Sequence, residues 1–125
     1  MNEQEFKNRT KDIALRVIRL VNSLPHTPSA DVIGKQLLRS GTSIGANYRA
    51  ACRGKSTTDL IHKLSIVEEE SDESLYWLEL LTASGIVPER KLEDLYGEIN
   101  AITAMTVASI KTLKSRTSTN PKPKI

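Results

Sequence analysis

Four stretches in which apolar residues recur every three or four positions, divided by Pro25, Gly54 and the Gly85–Pro88 turn, leave this chain one class of fold. That spacing lines one side of a helix, and no stretch keeps the two-residue alternation of a half-buried strand. Residues 3–24 carry Phe6, Ile13, Val17, Leu20 and Leu24 on one face, with Lys7, Lys11, Arg16 and Arg19 off it. Pro25 stops that helix because its ring clashes with the preceding turn and it has no N–H to donate. Thr27 and Pro28 open the next, as N-cap and first helical residue.

Residues 28–53 place Ile33, Leu37, Ile44, Tyr48 and Ala51 on one face, yet Gly34, Gly41 and Gly45 each cost about 1 kcal/mol relative to alanine inside a helix. Two readings follow: two short helices around a Ser40-Gly41-Thr42-Ser43 loop, or one helix whose small residues let a neighbouring backbone approach closely. The second is favoured. Gly54 is a candidate left-handed terminator, and Ser56, Thr57 or Thr58 a candidate cap for residues 58–84. That third segment has a core stripe of Leu60, Leu64, Val67, Leu75, Leu78 and Leu81. Ile66, Trp77 and Leu80 form a second, displaced strip that suggests a subunit interface. Gly85 closes the helix, with Ile86 placed to pack back on Leu81. Pro88 opens the fourth segment, 88–116, whose face reads Leu92, Leu95, Ile99, Ile102, Thr106, Ile110 and Leu113. Short connections make neighbours antiparallel, so the fold class is all-α: an up-down-up-down four-helix bundle over 1–116. Residues 117–125, with two prolines and little to bury, read as a short disordered basic tail.

Charge is strongly segregated. Residues 1–63 hold eleven Lys/Arg against five Asp/Glu, residues 64–110 two against ten, and residues 111–125 five against none, within a formal net charge of only +3. A field of this kind suits a nucleic-acid face, and equally copies meeting basic face to acidic face. The candidate contacts are Arg16, Arg19, Arg39, Arg49, Arg53, Lys55, Lys111, Lys114 and Arg116; as plain solubilising charge they would need no partner. Aromatics make up 4% of the chain, too few for a base-stacking platform, so any nucleic acid would be held by its backbone and shape.

Chemistry of other kinds finds no support. Glu68-Glu69-Glu70-Ser71-Asp72-Glu73 is the densest carboxylate run, but it has no Glu-x-x-His partner and reads as a solvated face. Gly54-Lys55-Ser56 lacks the earlier glycine of a phosphate loop and follows a helix rather than a strand. The lone Cys52 reads as a buried small hydrophobe; if exposed, Arg49 and Arg53 would lower its pKa. No enzyme, cofactor or metal is expected. Without a cysteine pair, a membrane-length apolar run or a secretory-type N-terminus, the expected setting is cytoplasmic, with no membrane partner.

The stretch Leu37-Leu38-Arg39-Ser40-Gly41-Thr42-Ser43-Ile44-Gly45-Ala46-Asn47-Tyr48-Arg49-Ala50-Ala51 resembles the signature of the four-helix-bundle proteins encoded by 23S rRNA intervening sequences. Residues 64–81 resemble the third helix of that family, and the likeness extends over about 5–115. Its most specific part is Arg39, Ser43, Ile44 and Asn47. Many members have Ala-Glu-Gly where this chain has Tyr48-Arg49-Ala50-Ala51, so no role of that Glu transfers. The resemblance implies a bacterial four-helix bundle assembled as a cyclic homopentamer. It also implies kinship with the accessory protein of diversity-generating retroelements, which binds nucleic acid and a reverse transcriptase. A head-to-tail ring would use both the displaced Ile66/Trp77/Leu80 strip and the charge segregation. Asn47 falls within the core-facing sector of the second segment, and the expectation is that Ser43 and Asn47 bond across helices to fix register. The functional expectation is a non-catalytic oligomer binding RNA or DNA backbone; the alternative is a scaffold that docks a partner protein without touching nucleic acid.

Overall fold

Each of the first three helices starts where a side chain can satisfy amides that lack an intrahelical acceptor. Asn2 Oδ1 accepts from the Glu5 amide at 2.8 Å, Thr27 Oγ1 from Ala30 at 3.3 Å, and Ser56 Oγ from Asp59 at 3.1 Å. The computed structural model describes residues 1–119, with side chains as far as Arg116. Its helices are α1 (Glu3–Asn22), α2 (Pro28–Cys52), α3 (Thr57–Ala83) and α4 (Glu89–Thr119). The fourth runs three residues into the stretch expected to be tail; residues 120–125 lie outside those described.

Consecutive helices pack side by side in an antiparallel four-helix bundle, most extensively α2 against α3, while α1 meets α4 along a short stretch only. The core takes Ile13 and Val17, Leu37 and Ile44, Val67 and Leu78, and Ile99 and Ile102, two from each helix and each almost wholly buried. A smaller cluster of Ala51, Leu64 and Ile110 seals the end formed by the α2–α3 turn and the C-terminal half of α4.

Helix α2 is continuous through its glycines because α1 and the turn that follows it lie against them. A Cβ on Gly41 would sit 2.8 Å from Val17 Cγ2, one on Gly45 3.1 Å from Thr10 Oγ1, and one on Gly34 3.2 Å from Leu24 Cδ1. Packing therefore offsets the propensity cost that made a loop the other reading.

The turn after α3 follows expectation. Gly85 has φ +78°, the sole positive φ among the described residues, and the Leu81 carbonyl accepts from the amides of Ile86 and Val87 at 3.0 and 3.1 Å. Ile86 packs against the core beside it. The expectation for Gly54 is corrected: it has no positive φ, and α2 ends through Arg53, whose amide donates to Ala50. Crowding explains the glycine instead, since a Cβ there would lie 3.0 Å from the Ala51 carbonyl oxygen and 3.2 Å from Asp59 Oδ2.

Candidate nucleic-acid interface

Antiparallel topology brings the C-terminal end of α2, the turn to α3 and the C-terminal half of α4 to one end of the bundle, and six of the nine candidate cations come with them. Arg49, Arg53, Lys55, Lys111 and Lys114 are exposed there and make no ion pair; Arg116 is also exposed. Acids at the same end are already engaged: Glu3 pairs with Lys7 at 3.1 Å and Asp59 with Lys63 at 3.8 Å. Arg49 and Arg116 also lie in the last turns of α2 and α4, where a cation complements the helix dipole.

The other three candidates lie elsewhere. Arg19 is exposed in the last turn of α1, at the opposite end of the bundle. Arg16 is 4.0 Å from Asp12 on its own helix. Arg39 reaches from α2 to α3 and pairs with both Glu70, at 3.0 Å, and Glu73. Its charge is therefore compensated inside the molecule, by the very carboxylate run that looked like a free acidic face. A second cross-helix pair joins Arg9 to Glu98 of α4 through two contacts, at 2.8 and 2.5 Å. That hydrogen-bonded guanidinium holds the Glu98 carboxyl below its ordinary range.

Two clefts adjoin the basic end. One, of about 710 Å³, has Leu60, Leu64 and Leu113 along its floor and Lys55 and Arg116 among its lining. Tyr48 and Cys52 also line it. Burial raises both their pKa values, and half-buried Cys52 is not the exposed thiol that Arg49 and Arg53 would activate. The other, of about 480 Å³, is a groove between α1 and α2 lined by Gln4, Lys7, Asn8, Lys11, Thr42 and Arg49 over a floor of Ala14, Gly45 and Ala46, with Thr10 beside it. In the sequence Lys7 and Lys11 read as ordinary polar-face residues. Their four-residue spacing, one helical turn, was the available signal.

Two of the family-motif residues, Ser43 and Asn47, bond within their own helix rather than across helices. Asn47 Nδ2 donates to the Ser43 carbonyl at 2.8 Å, and Ser43 Oγ to the Arg39 carbonyl at 2.6 Å, both within α2. The predicted cross-helix bond is therefore replaced by bonding one turn back along the same helix, which is open to any short polar side chain there. Ile44 is fully buried, as a core position should be. A buried polar link between α2 and α3 is made instead by Ser40 and Ser74.

Of the candidate interface strip, Trp77 and Leu80 pack partly against the bundle's own core, which gives part of that apolar surface a use within one chain. Ile66 is half-buried. Trp77 Nε1 is buried without a hydrogen-bond partner, and Tyr76, 52% exposed, sits edge-on to the Trp77 ring at 5.0 Å. Among the described residues no cluster of His, Cys, Asp and Glu could hold a metal ion, and no helix is long and apolar enough to cross a membrane.

An antiparallel four-helix bundle with uncompensated cations at one end is what the fold and the site define. The chain belongs to the 23S rRNA-intervening sequence protein family, whose pattern it matches over residues 2–108. It is similar to a protein of unknown function of the S23 ribosomal protein family from Bacteroides thetaiotaomicron VPI-5482, known from its crystal structure. The two are 35% identical, with a TM-score of 0.82, covering 89% of this chain and 99% of the other. No curated protein matches the chain.

Proposed function

We propose that this protein is a non-catalytic, cytoplasmic oligomer that holds RNA or DNA by its sugar–phosphate backbone at the basic end of the bundle. The observation that carries the reading is the gathering of Arg49, Arg53, Lys55, Lys111 and Lys114 at one end with no carboxylate paired to any of them. Cations left free in this way bind phosphate through charge and hydrogen bonds regardless of base sequence. The assembly would be the ring of five that the family resemblance implies, with Tyr76 and the flank of Trp77 at a subunit contact. Binding of labelled duplex DNA and of a structured RNA, followed by anisotropy at two salt concentrations, tests the reading. The expected result is affinity that falls steeply with salt and survives truncation after Arg116. No binding at low salt would overturn it.

A second reading, a scaffold that docks a partner protein, is favoured by the exposed Tyr76 beside Trp77, since aromatic anchors are the usual centres of protein contacts. Recovery of one stoichiometric partner from nuclease-treated lysate, lost on Tyr76→Ala, would support it over the first.

A further inference from the structure

The groove between α1 and α2 owes its shape to the glycine contacts. At Gly45 the helices are too close to admit a Cβ without displacing Thr10, so the floor is backbone and small side chains rather than a packed apolar ridge. Cations stand on both walls: Lys7 and Lys11 on α1, about 6 Å apart along the helix by its rise per residue, and Arg49 on α2. No carboxylate lines the groove. Lys11 and Arg49 make no ion pair, and Lys7 is held only by the exposed Glu3, a kind of pair that costs little to break. The groove is also lined by the side-chain amides of Gln4 and Asn8, bonded to each other at 2.9 Å, and by Thr42.

From this arrangement we infer that the α1–α2 groove seats the phosphodiester backbone of a nucleic-acid duplex, with Lys7, Lys11 and Arg49 as its phosphate contacts and Arg53, one turn beyond Arg49, leading onto the basic end. The inference rests on the proposed nucleic-acid binding and gives it a path along the side of the bundle. A protein partner would need an apolar anchor, and no leucine, isoleucine, valine or aromatic side chain lines the groove. A single strand would need rings on which bases stack, but the aromatics nearest the groove, Phe6 and Tyr48, face each other at 4.2 Å instead. Duplex backbone needs neither. It offers a row of phosphates to cations and polar groups.

The test uses the full chain and a short labelled DNA duplex, with affinity measured across a salt series. Each phosphate contact contributes about −0.9 to the slope of log affinity against log salt, so Lys7→Gln with Lys11→Gln should flatten the slope by about 1.8. Lys7→Arg with Lys11→Arg should leave it unchanged. Both substitutions lie on the polar face of α1, and an unchanged circular dichroism spectrum confirms the fold. Lys111→Gln with Lys114→Gln serves as the comparison at the bundle end. If that variant loses slope while the groove variant keeps the full wild-type slope, the groove assignment is overturned and binding at the basic end stands. If the wild-type protein binds no duplex, both fall. Binding of a polyglutamate peptide but not of duplex, lost in the groove variant, would put an acidic protein segment there and overturn the inference.

Discussion

Ser40 of α2 and Ser74 of α3 meet hydroxyl to hydroxyl at 3.0 Å in the middle of the bundle's most extensive helix–helix contact, and both are wholly buried. The Ser74 hydroxyl also lies 2.8 Å from the Glu70 carbonyl of its own helix, so the pair is tied back to the backbone. Small hydroxyls at this point let α2 and α3 approach closely, and each of the two has a partner.

The two hydroxyls should not contribute independently. Ser74→Ala is expected to destabilise by about 1 kcal/mol, whereas Ser40→Ala with Ser74→Ala together should cost less than the sum of the singles, because no lone buried hydroxyl remains. Urea denaturation of the four proteins completes the cycle. Strict additivity would mean that the two side chains do not interact.

Glycines on α2 and α4 should respond with opposite signs. A Cβ at Gly41 meets the stiff, β-branched Val17 at 2.8 Å, so Gly41→Ala should lower stability by about 1 to 2 kcal/mol despite the better helix propensity. Gly97 has nothing within 4 Å of the same position, so Gly97→Ala should raise it by about 1 kcal/mol. Thermal melts of both variants beside the parent read the two signs directly.

That contrast bears on how much of the molecule its sequence discloses. Apolar spacing, the Thr27 cap, the Gly85 turn and the core positions of Ile44 and Leu78 follow from local rules that need no knowledge of what lies opposite. Gly41 and Gly97 look equally awkward in sequence, and only the presence of Val17 separates them. Arg39 looks like a free cation for the same reason, because Glu70 and Glu73 lie 31 and 34 residues away and reach it only once α2 and α3 are paired. Ser43 and Asn47 were expected to bridge helices, but an amide in a helix can bond one turn back with no help from the rest of the fold. The basic end follows from the topology, whereas the lysines of the groove required the spacing between α1 and α2.

Asn47→Ala should accordingly be mild. Its amide bonds a carbonyl that already serves the helix, so the change is expected to cost less than about 0.5 kcal/mol rather than the 1 to 3 of a stranded buried partner. Chemical denaturation that showed the larger cost would restore a bridging role between helices.

Arg39→Gln should separate stability from ligand binding. Its guanidinium is compensated by two carboxylates but half exposed, so its loss should cost at most about 1 kcal/mol. Duplex affinity should then stay within about twofold, whereas Arg49→Gln with Arg53→Gln weakens it by removing two phosphate contacts. Equal losses of affinity in the two variants would contradict this assignment.

The Arg9–Glu98 pair carries a pH signature. The folded-state pKa of Glu98 is lowered, so its contribution is fully present above the ordinary glutamate value of about 4.3 and is lost as pH falls through the lower folded value. Glu98→Gln should therefore be less stable than the parent at neutral pH, by about 1 kcal/mol after allowing for partial exposure, and the gap should narrow as pH falls below the ordinary glutamate value and close once it passes the lower folded one. A gap that persists in acid would mean that the side chain stabilises by packing alone.

The unequal seams of the bundle set an order in which it comes apart. Helix α1 is broadly seated on α2 alone and reaches α4 along a short edge that includes the Arg9–Glu98 pair, whereas α3 stays packed on both α2 and α4 without it. Amide hydrogens of α1 should therefore exchange through a partial opening in which this first helix lifts while the other three stay folded. A ligand seated between α1 and α2 would hold the least anchored helix against its neighbour, and occupancy of the groove would be visible as slowed exchange along α1.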